Sequence, residues 1–229
     1  MKRIFAFTLA EILTTLTLIG VVAAFTIPSL IMSNEKQRTI AAIKTNYSAF
    51  QRAVELSEVD NGPTSVWTFK NSYGAFWDKY LAPYMQVVAT TTYPQAYPNG
   101  TVRPNETKET ALQMTYTNGI VHTLNNGTNI ISPRRDCVSG NGQSYGFDIN
   151  GSKGPNKWGR DIFCFTIYAK GVIPCCQDGM GDGPFGELTR NNIKTVSAQN
   201  YQCSKSGRGM SCLALIILDG WKIADDYPW

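Results

Sequence analysis

Residues 1–32 have the sequence MKRIFAFTLAEILTTLTLIGVVAAFTIPSLIM, and the organisation of the whole chain follows from them. Two basic residues, Lys2 and Arg3, come first; Glu11 is the next charge, and residues 12–32 carry none. A helix rises about 1.5 Å per residue, so this uncharged run is long enough to cross roughly 30 Å of hydrocarbon. The segment therefore predicts a membrane-spanning helix with one acid near its start.

Glu11 needs a partner if it enters a membrane, because an unpaired carboxylate in hydrocarbon is costly. A free α-amino group at Phe7, created by cleavage after Ala6, would supply a positive charge at the same depth. The basic residues before the apolar run predict that the N-terminus stays in the cytoplasm and that the bulk of the chain lies outside.

Two ordinary interpretations explain only part of this pattern. A cleaved signal peptide has a shorter apolar region followed by a small-x-small site, which Val22-Ala23-Ala24 imitates, but here the apolar run continues to Met32. A simple signal anchor explains the length and the basic flank but gives Glu11 no purpose. That second interpretation makes the chain a periplasmic binding or enzymatic domain whose helix is only a tether.

The segment Phe7-Thr8-Leu9-Ala10-Glu11, with the Leu, Ile and Val run after it, resembles the N-terminal methylation segment of type IV pilins and type II secretion pseudopilins. The resemblance covers about residues 1–35. It implies that a prepilin peptidase cleaves between Ala6 and Phe7 and methylates the Phe7 amine. The glutamate of that family stands fifth after the cut, as Glu11 does, and Pro28 falls where many members have a helix-bending proline. Most members have Gly before the cut, where this chain has Ala6.

The resemblance implies a structural subunit of a type II secretion pseudopilus or a type IV pilus, with no catalysis. Glu11 would pair with the Phe7 amine, its own or a neighbour's, when subunits assemble into a helical filament. The implied partners are copies of the chain or related pilins, the prepilin peptidase, an inner-membrane assembly platform and the lipid bilayer. The implied location is the bacterial inner membrane, with a single span and a periplasmic globular domain, or the cell exterior for a pilus subunit.

We expect four regions: a leader at 1–6, a transmembrane and filament-core helix at 7–32, its soluble continuation at 33–60 and a pilin-like periplasmic domain at 61–229. An apolar stripe at steps of three and four supports the continuation, and Asn61-Gly62-Pro63 predicts where it ends. A break near Pro28 or Ser33 would give two helices instead. The expected fold class is α+β: a long helix packed on a small antiparallel sheet with long loops. The stripe consists of Ile40, Ile43, Tyr47, Phe50 and Val54.

Within the globular part, the patterns predict two hairpins, one further strand, a short helix and an exposed loop. The first hairpin covers residues 112–124 with Asn118-Gly119 as a type I′ turn, and the second covers residues 213–223. The further strand contains Phe163, Phe165 and Ile167. The short helix lies within 67–84, and residues 90–107 are expected to be an exposed loop because they are rich in Thr, Pro and Asn.

Six cysteines all follow the apolar run, on the side where disulfides persist. Cys203 and Cys212 are the expected pair because they close a small loop. Cys175 and its neighbour Cys176 are not expected to bond each other, so one of them is expected to meet Cys137 or Cys164. A zinc site is the alternative, but Cys-x-x-Cys spacing is absent and His122 is the only histidine.

Asp148, Asn150 and Asp161 are candidate calcium ligands, because Asp and Asn at alternate positions before Gly151 supply hard oxygen donors. Some pseudopilins bind calcium in C-terminal loops, so the resemblance also favours this hypothesis. The EF-hand glutamate is absent, since Gly159 stands twelve residues along. A loop of Asx turns that cap their own backbone is the alternative.

Catalysis and nucleic-acid binding have little support in the sequence. His122 is expected to be a surface or half-buried strand residue opposite Thr115, without the nucleophile segment of a hydrolase. The formal net charge of +4 falls to about +2 after loss of Lys2 and Arg3, too near neutral for a nucleic-acid surface.

Overall fold

The structure, a computed structural model, describes residues 8–69, 73–109, 119–134, 142–169, 171–175, 189–195 and 200–229. The chain divides into two compact units, Met1–Thr39 and Ile40–Trp229. Helix α1, Leu9–Asn61, contributes residues to both. The described part of the second unit has four further α-helices: α2 (Tyr73–Tyr80), α3 (Tyr93–Ala96), α4 (Arg190–Thr195) and α5 (Cys212–Leu218).

Helix α1 confirms the prediction of one long helix, and the alternative of two separate helices is wrong. Pro28 lies inside the helix, which continues past it to Asn61. Gly62 follows with a φ of +77°, a left-handed conformation that suits glycine and that commonly ends helices. The predicted stop at Asn61-Gly62-Pro63 is therefore confirmed.

The main sheet has six strands in the order β1-β4-β5-β6-β7-β8, and every neighbouring pair is antiparallel. A separate two-stranded ribbon pairs β2 with β3. The strands are β1 Val87–Thr92, β2 Thr101–Val102, β3 Lys108–Glu109, β4 Ile120–Leu124, β5 Asn129–Arg134, β6 Gly142–Asp148, β7 Ile162–Tyr168 and β8 Gly171–Pro174.

The second part of α1 packs on this sheet through the predicted apolar stripe. The Phe50 ring lies 4.0 Å from the Phe165 ring between centroids and 6.5 Å from that of Phe147. The Tyr47 hydroxyl donates a hydrogen bond to the Val172 carbonyl at 3.0 Å. A long helix packed on an antiparallel sheet is the α+β arrangement that the sequence predicts.

Strand β7 is buried along its whole length. Phe163, Phe165 and Ile167 join the core beneath α1, whereas Ile162 and Cys164 face a second core that contains Trp158. Both faces of β7 are therefore covered, and the predicted strand is confirmed. The predicted short helix within 67–84 is also confirmed, as α2.

The second predicted hairpin is wrong, because residues 212–218 form helix α5. Five consecutive residues of this helix, from Cys212 to Ile216, are buried. A short run that is buried on every side is apolar at every position, so apolar and polar residues do not alternate in it. Its sequence pattern therefore does not distinguish a strand from a helix.

The exposed loop expected at 90–107 is also wrong. Its first residues belong to β1, and α3 follows directly. Tyr93 and Tyr97 are buried, and the Tyr93 hydroxyl donates to Thr101 Oγ1 at 2.9 Å. Both tyrosines belong to the second core with Val121, Ile131 and Trp158, and this packing outweighs the polar composition of the segment.

Strand β4 is the second strand of the first predicted hairpin, and in the structure it pairs with β1 on one side and with β5 on the other. The turn that follows β4 lies at residues 125–128. Residues 112–118, the predicted first strand and part of its turn, lie outside the described residues. The same holds for Thr115, the expected neighbour of His122.

Candidate assembly helix and candidate cation site

The first part of α1 exposes an apolar surface. Its large aliphatic and aromatic side chains between residues 9 and 32 are 44–78% exposed. Among the described residues, α1 is the one helix long and apolar enough to cross a membrane, with a mean hydropathy of 2.0 in its most apolar window. This segment is compatible with a signal anchor or a single-pass membrane protein.

Glu11 is held by the start of its own helix. The Thr8 backbone N–H and the Thr8 hydroxyl each donate to Glu11 Oε2 at 2.8 Å, and the Glu11 N–H donates to Thr8 Oγ1 at 3.3 Å. This reciprocal arrangement is a capping box, which satisfies N–H groups that a helix start leaves without partners. Sequence reasoning missed this role, although the signal Thr-x-x-Glu was present.

The other predicted assembly residues have separate outcomes. Ala6 and Phe7 lie outside the described residues, so the pairing of Glu11 with a Phe7 amine stays a prediction. Pro28 lies within α1. The Thr26 hydroxyl, two residues before Pro28, donates to the Val22 carbonyl at 3.0 Å, and the Ser29 hydroxyl donates to the Thr26 carbonyl at 2.8 Å.

The three predicted calcium ligands lie close together at one end of the β6–β7 pair. Asp148 ends β6 opposite Ile162, and Asp161 directly precedes β7. Asp148 is fully buried and Asp161 is 4% exposed. Asn150 joins them because its N–H donates to Asp148 Oδ1 at 3.3 Å.

Backbone and side-chain donors surround both carboxylates. Asp161 accepts from the N–H of Asn156 at 2.8 Å and from that of Lys157 at 2.5 Å. The Tyr97 hydroxyl donates to Asp148 Oδ2 at 3.0 Å, so a residue from the predicted exposed loop is part of this cluster. The Asx-turn network that formed the alternative to calcium is thus present.

Burial raises the pKa of Asp148 well above its usual range, and the charge of Asp161 raises it further. Burial also raises the pKa of Asp161, although the N–H groups of Lys157 and Asn156 act in the opposite direction. Burial therefore disfavours the charged form of both carboxyl groups, and at Asp148 the neighbouring charge of Asp161 adds to this effect. A cation bound between them would remove that cost.

The donor set suits a hard cation in kind and in capacity. Carboxylate and amide oxygens are the ligands that calcium prefers. An ionised carboxylate has about four acceptor positions, and hydrogen bonds occupy only some of them here. In the part of the chain that the structure describes, however, no group of three His, Cys, Asp or Glu side chains could hold a metal. Asn150 and other neutral oxygens would have to complete the shell.

The cysteine predictions are confirmed where the structure describes them. Cys203 is bonded to Cys212, and Cys164 is bonded to Cys175. Cys137 and Cys176 lie outside the described residues. Because the four described cysteines are all in disulfides, none of them is a thiolate ligand for the alternative zinc site.

His122 is packed rather than exposed. Its ring stacks on that of Trp77, with 4.2 Å between centroids and 5° between planes, and its Nδ1 lies 3.1 Å from Thr90 Oγ1. Burial lowers the pKa of His122 to about 4, although the charge of Asp78 acts in the opposite direction. This environment keeps the imidazole neutral near pH 7. The predicted strand position is confirmed, in β4, but the side chain is buried rather than at the surface or half-buried, because the Trp77 ring covers it.

These features define an α+β protein with a long apolar N-terminal helix and a disulfide-bonded domain. The chain belongs to a family described as "Family of unknown function (DUF6613)", whose model matches residues 29–229. No curated protein and no solved structure matches the chain significantly. The family match begins one residue after Pro28, whereas the pilin resemblance rests on residues 1–35.

Proposed function

We propose that this chain is a structural subunit of a helical filament rooted in a bacterial inner membrane, first a type II secretion pseudopilus and second a type IV pilus. One observation carries the proposal. A single helix exposes apolar side chains behind the lone acid Glu11 in its first part, and in its second part it packs on an antiparallel sheet. The exposed apolar side chains of the first part need lipid or other apolar protein surfaces around them. The second part carries the folded domain, which the filament would display.

Assembly would exchange one set of apolar contacts for another. In the bilayer, lipid surrounds residues 12–32; in the filament, neighbouring helices replace the lipid. Glu11 would leave Thr8 and pair with the ammonium of a processed Phe7. A buried ion pair of this kind contributes little net stability but fixes register, because a misaligned subunit leaves a buried charge without a partner. Head-to-tail contacts that do not close give an open helix.

Processing provides the first test. Mass spectrometry of the membrane-extracted protein is expected to find an N-methylated N-terminus at Phe7 after loss of the basic leader. Replacing Ala6 with a bulky residue such as Arg is expected to leave the leader attached. An intact Met1 in the unsubstituted protein, or cleavage after Ala24, would instead support the tethered-domain alternative.

Assembly provides the second test. Glu11→Ala is expected to abolish incorporation into filaments while membrane insertion and both described disulfides remain. Glu11→Gln is the matched control, because it keeps the size and part of the cap but removes the charge; it should fail in assembly as Glu11→Ala does. Normal incorporation of either variant contradicts the pairing of Glu11 with an ammonium.

The cluster at Asp148, Asn150 and Asp161 supports a second proposal, a calcium site that holds the segment between β6 and β7. The favouring observation is that two buried carboxylates with raised pKa values share one oxygen-rich site. Calorimetry with Ca²⁺ on the full chain is expected to give binding heat that Asp161→Asn removes and that Asp225→Asn, a change at an exposed acid, retains. Absence of heat in the unsubstituted protein ends this proposal.

A further inference from the structure

Asn150 is exposed in the segment between β6 and β7, and Gly151 follows it directly. An asparagine before a glycine is prone to convert itself to an acid, because a residue without a Cβ leaves its backbone nitrogen open to attack the preceding side chain. Three further Asn-Gly pairs lie wholly within the described residues, with the same two residues in different surroundings. They are Asn61-Gly62, Asn99-Gly100 and Asn126-Gly127.

The fold requires glycine at position 151 for a separate reason. The φ of Gly151 is +67°, and a Cβ at this position would lie 2.8 Å from the Gly127 carbonyl oxygen. A backbone oxygen cannot move aside as the end of a flexible side chain can. The structure therefore keeps a glycine after Asn150, and with it the reactive pair.

The reacting atom of such a pair is the backbone nitrogen of the glycine, which has to leave its own hydrogen bond. The Gly151 N–H donates to the Asp148 carbonyl at 3.4 Å, which is beyond the usual length of an N–H···O bond. The N–H groups of Gly100 and Gly127 each donate at 2.9 Å. Of these three nitrogens, that of Gly151 is therefore the least constrained.

The side chains of two other asparagines are held in place. The Nδ2 of Asn126 donates to Asn46 Oδ1 at 3.0 Å, and its Oδ1 accepts from the Thr128 N–H at 3.0 Å. The Nδ2 of Asn61 donates to a carbonyl one turn earlier in α1, at 3.2 Å. These bonds must break before the side-chain carbon can meet the glycine nitrogen, so both pairs are protected by the fold.

Resting on the second proposed function, the calcium site, we propose that Asn150 converts itself to an acid and so supplies a third carboxylate to that site. The Gly151 nitrogen attacks the Asn150 Cγ and closes a five-membered ring, while the bond from Cγ to the amide nitrogen breaks. The amide leaves as ammonia and takes the proton that the Gly151 nitrogen gives up. Water then opens the ring: its OH joins a ring carbonyl carbon and its hydrogen returns to the nitrogen. A carboxylate thereby replaces the amide.

The new carboxylate would join the cluster of Asp148 and Asp161. The Asn150 N–H donates to Asp148 Oδ1 at 3.3 Å, and the N–H of Ile149 donates to the Asp161 carbonyl at 3.0 Å, so this backbone is held beside both acids. Two carboxylates are the acidic ligands there before conversion, and three would be present after it. Calcium affinity depends on the number of charged ligands, so the converted chain should bind the ion more tightly.

Ageing of the purified full-length protein tests the conversion itself. Peptide mass spectrometry follows Asn99, Asn126 and Asn150 during incubation at neutral pH, in the folded protein and in denaturant. In denaturant the three are expected to convert at similar rates, because the reacting residues are the same. In the folded protein Asn150 is expected to convert several-fold faster than the other two. Absence of conversion at Asn150, or equal rates at all three in the folded protein, overturns the inference.

Calorimetry with Ca²⁺ on two full-length variants tests the consequence. Asn150→Asp carries the product from the start and is expected to bind several-fold more tightly than freshly purified protein. Asn150→Gln is the matched control, because its longer side chain keeps an amide and cannot close the five-membered ring; its affinity should not rise. Equal affinities of the two variants overturn the role as a third ligand.

The same titrations distinguish this inference from the calcium proposal on which it rests. Binding to Asn150→Asp but not to the fresh protein ends the calcium proposal for the unconverted chain and supports conversion as the step that completes the site. Binding to the fresh protein that Asn150→Asp does not improve leaves the calcium proposal standing and overturns this inference.

Discussion

Both parts of α1 are rich in apolar residues, but among the described residues the second part packs into the core and the first part is exposed. Phe50 is fully buried among Phe147 and Phe165, whereas Phe25 is 78% exposed. The hydrogen bonds described for side chains between residues 8 and 29 stay within the helix, whereas Tyr47 bonds to β8. The apolar surface of one helix is therefore core in its second part and exposed in its first part.

The largest expected effect is a loss of stability when a phenylalanine in the second part of α1 is replaced, compared with one in the first part. Phe50→Ala removes a ring from the closed core and should lower the free energy of unfolding by about 3–5 kcal/mol. Phe25→Ala, the matched control, should leave that free energy unchanged within about 0.5 kcal/mol, because the ring is 78% exposed. Denaturant unfolding measures both values. Similar losses of unfolding free energy in both variants would mean that Phe25 is packed as Phe50 is.

The next effect concerns the disulfide between Cys203 and Cys212 in the second unit. Replacing both Cys203 and Cys212 with Ala should lower the free energy of unfolding by about 2–3 kcal/mol, since the small loop between them gains freedom when unfolded. A reductant that opens this disulfide should have a similar effect. The first part of α1 contains no cysteine, so its membrane insertion should not change, as a membrane-fractionation assay would check. Reduced insertion would show that the two parts depend on each other.

A pH-dependent effect of up to about 3 kcal/mol is expected from His122. Its folded-state pKa of about 4 lies below its ordinary value of 6.5, so the unfolded chain binds the proton first as the pH falls. Stability from this residue is therefore present above pH 6.5, falls between 6.5 and 4, and levels off below 4. Thermal melts of the wild type and His122→Gln across this window measure the difference.

Asp148 and Asp161 contribute a pH dependence of stability with the opposite sign in the same experiment. The raised pKa values of Asp148 and Asp161 mean that protonation favours the folded state, so their contribution rises as the pH falls. Because both aspartates remain in His122→Gln, subtracting its profile isolates the histidine. If the two profiles coincide, the imidazole does not titrate in this way.

The smallest expected effect concerns the cap of the first part. Thr8→Ala removes the hydroxyl that pairs with Glu11 and should weaken the helix start by about 1 kcal/mol. Amide exchange in detergent should increase over residues 9–12 and remain unchanged in β7. Thr15→Val, which also loses a hydroxyl but lies beyond the first turn, serves as the control. Unchanged exchange in Thr8→Ala would mean that the cap does not operate there.

The long helix was predictable because its signals are local. An uncharged run, an apolar stripe and Gly62 each act within a few residues, and no distant partner changes their meaning. Strand β7 was predictable for a similar reason, since Phe163, Phe165 and Ile167 alternate. Asp148 and Asp161 were also found together, because β6 and β7 are adjacent antiparallel strands and the segment between them returns to its starting point.

The misses have a different physical origin. Tyr97 was assigned to an exposed loop because its neighbours are polar, but its burial is decided by Asp148, far along the chain. The sequence predicts a strand where helix α5 lies. Leu213 to Leu218 is apolar throughout, so the spacing of apolar residues that distinguishes a helix from a strand is absent. The sequence pattern predicts the Phe7 amine as the partner of Glu11 and misses Thr8, which stands at capping distance in the sequence.

In the proposed filament, the Thr8–Glu11 cap would bear on whether subunit addition can be undone. The carboxylate already accepts two hydrogen bonds from Thr8, so on assembly it would exchange one partner for another. Extraction of a subunit would then return the carboxylate to its own threonine rather than leave it without a partner in hydrocarbon. A filament built on such an exchange would be able to shorten as well as lengthen.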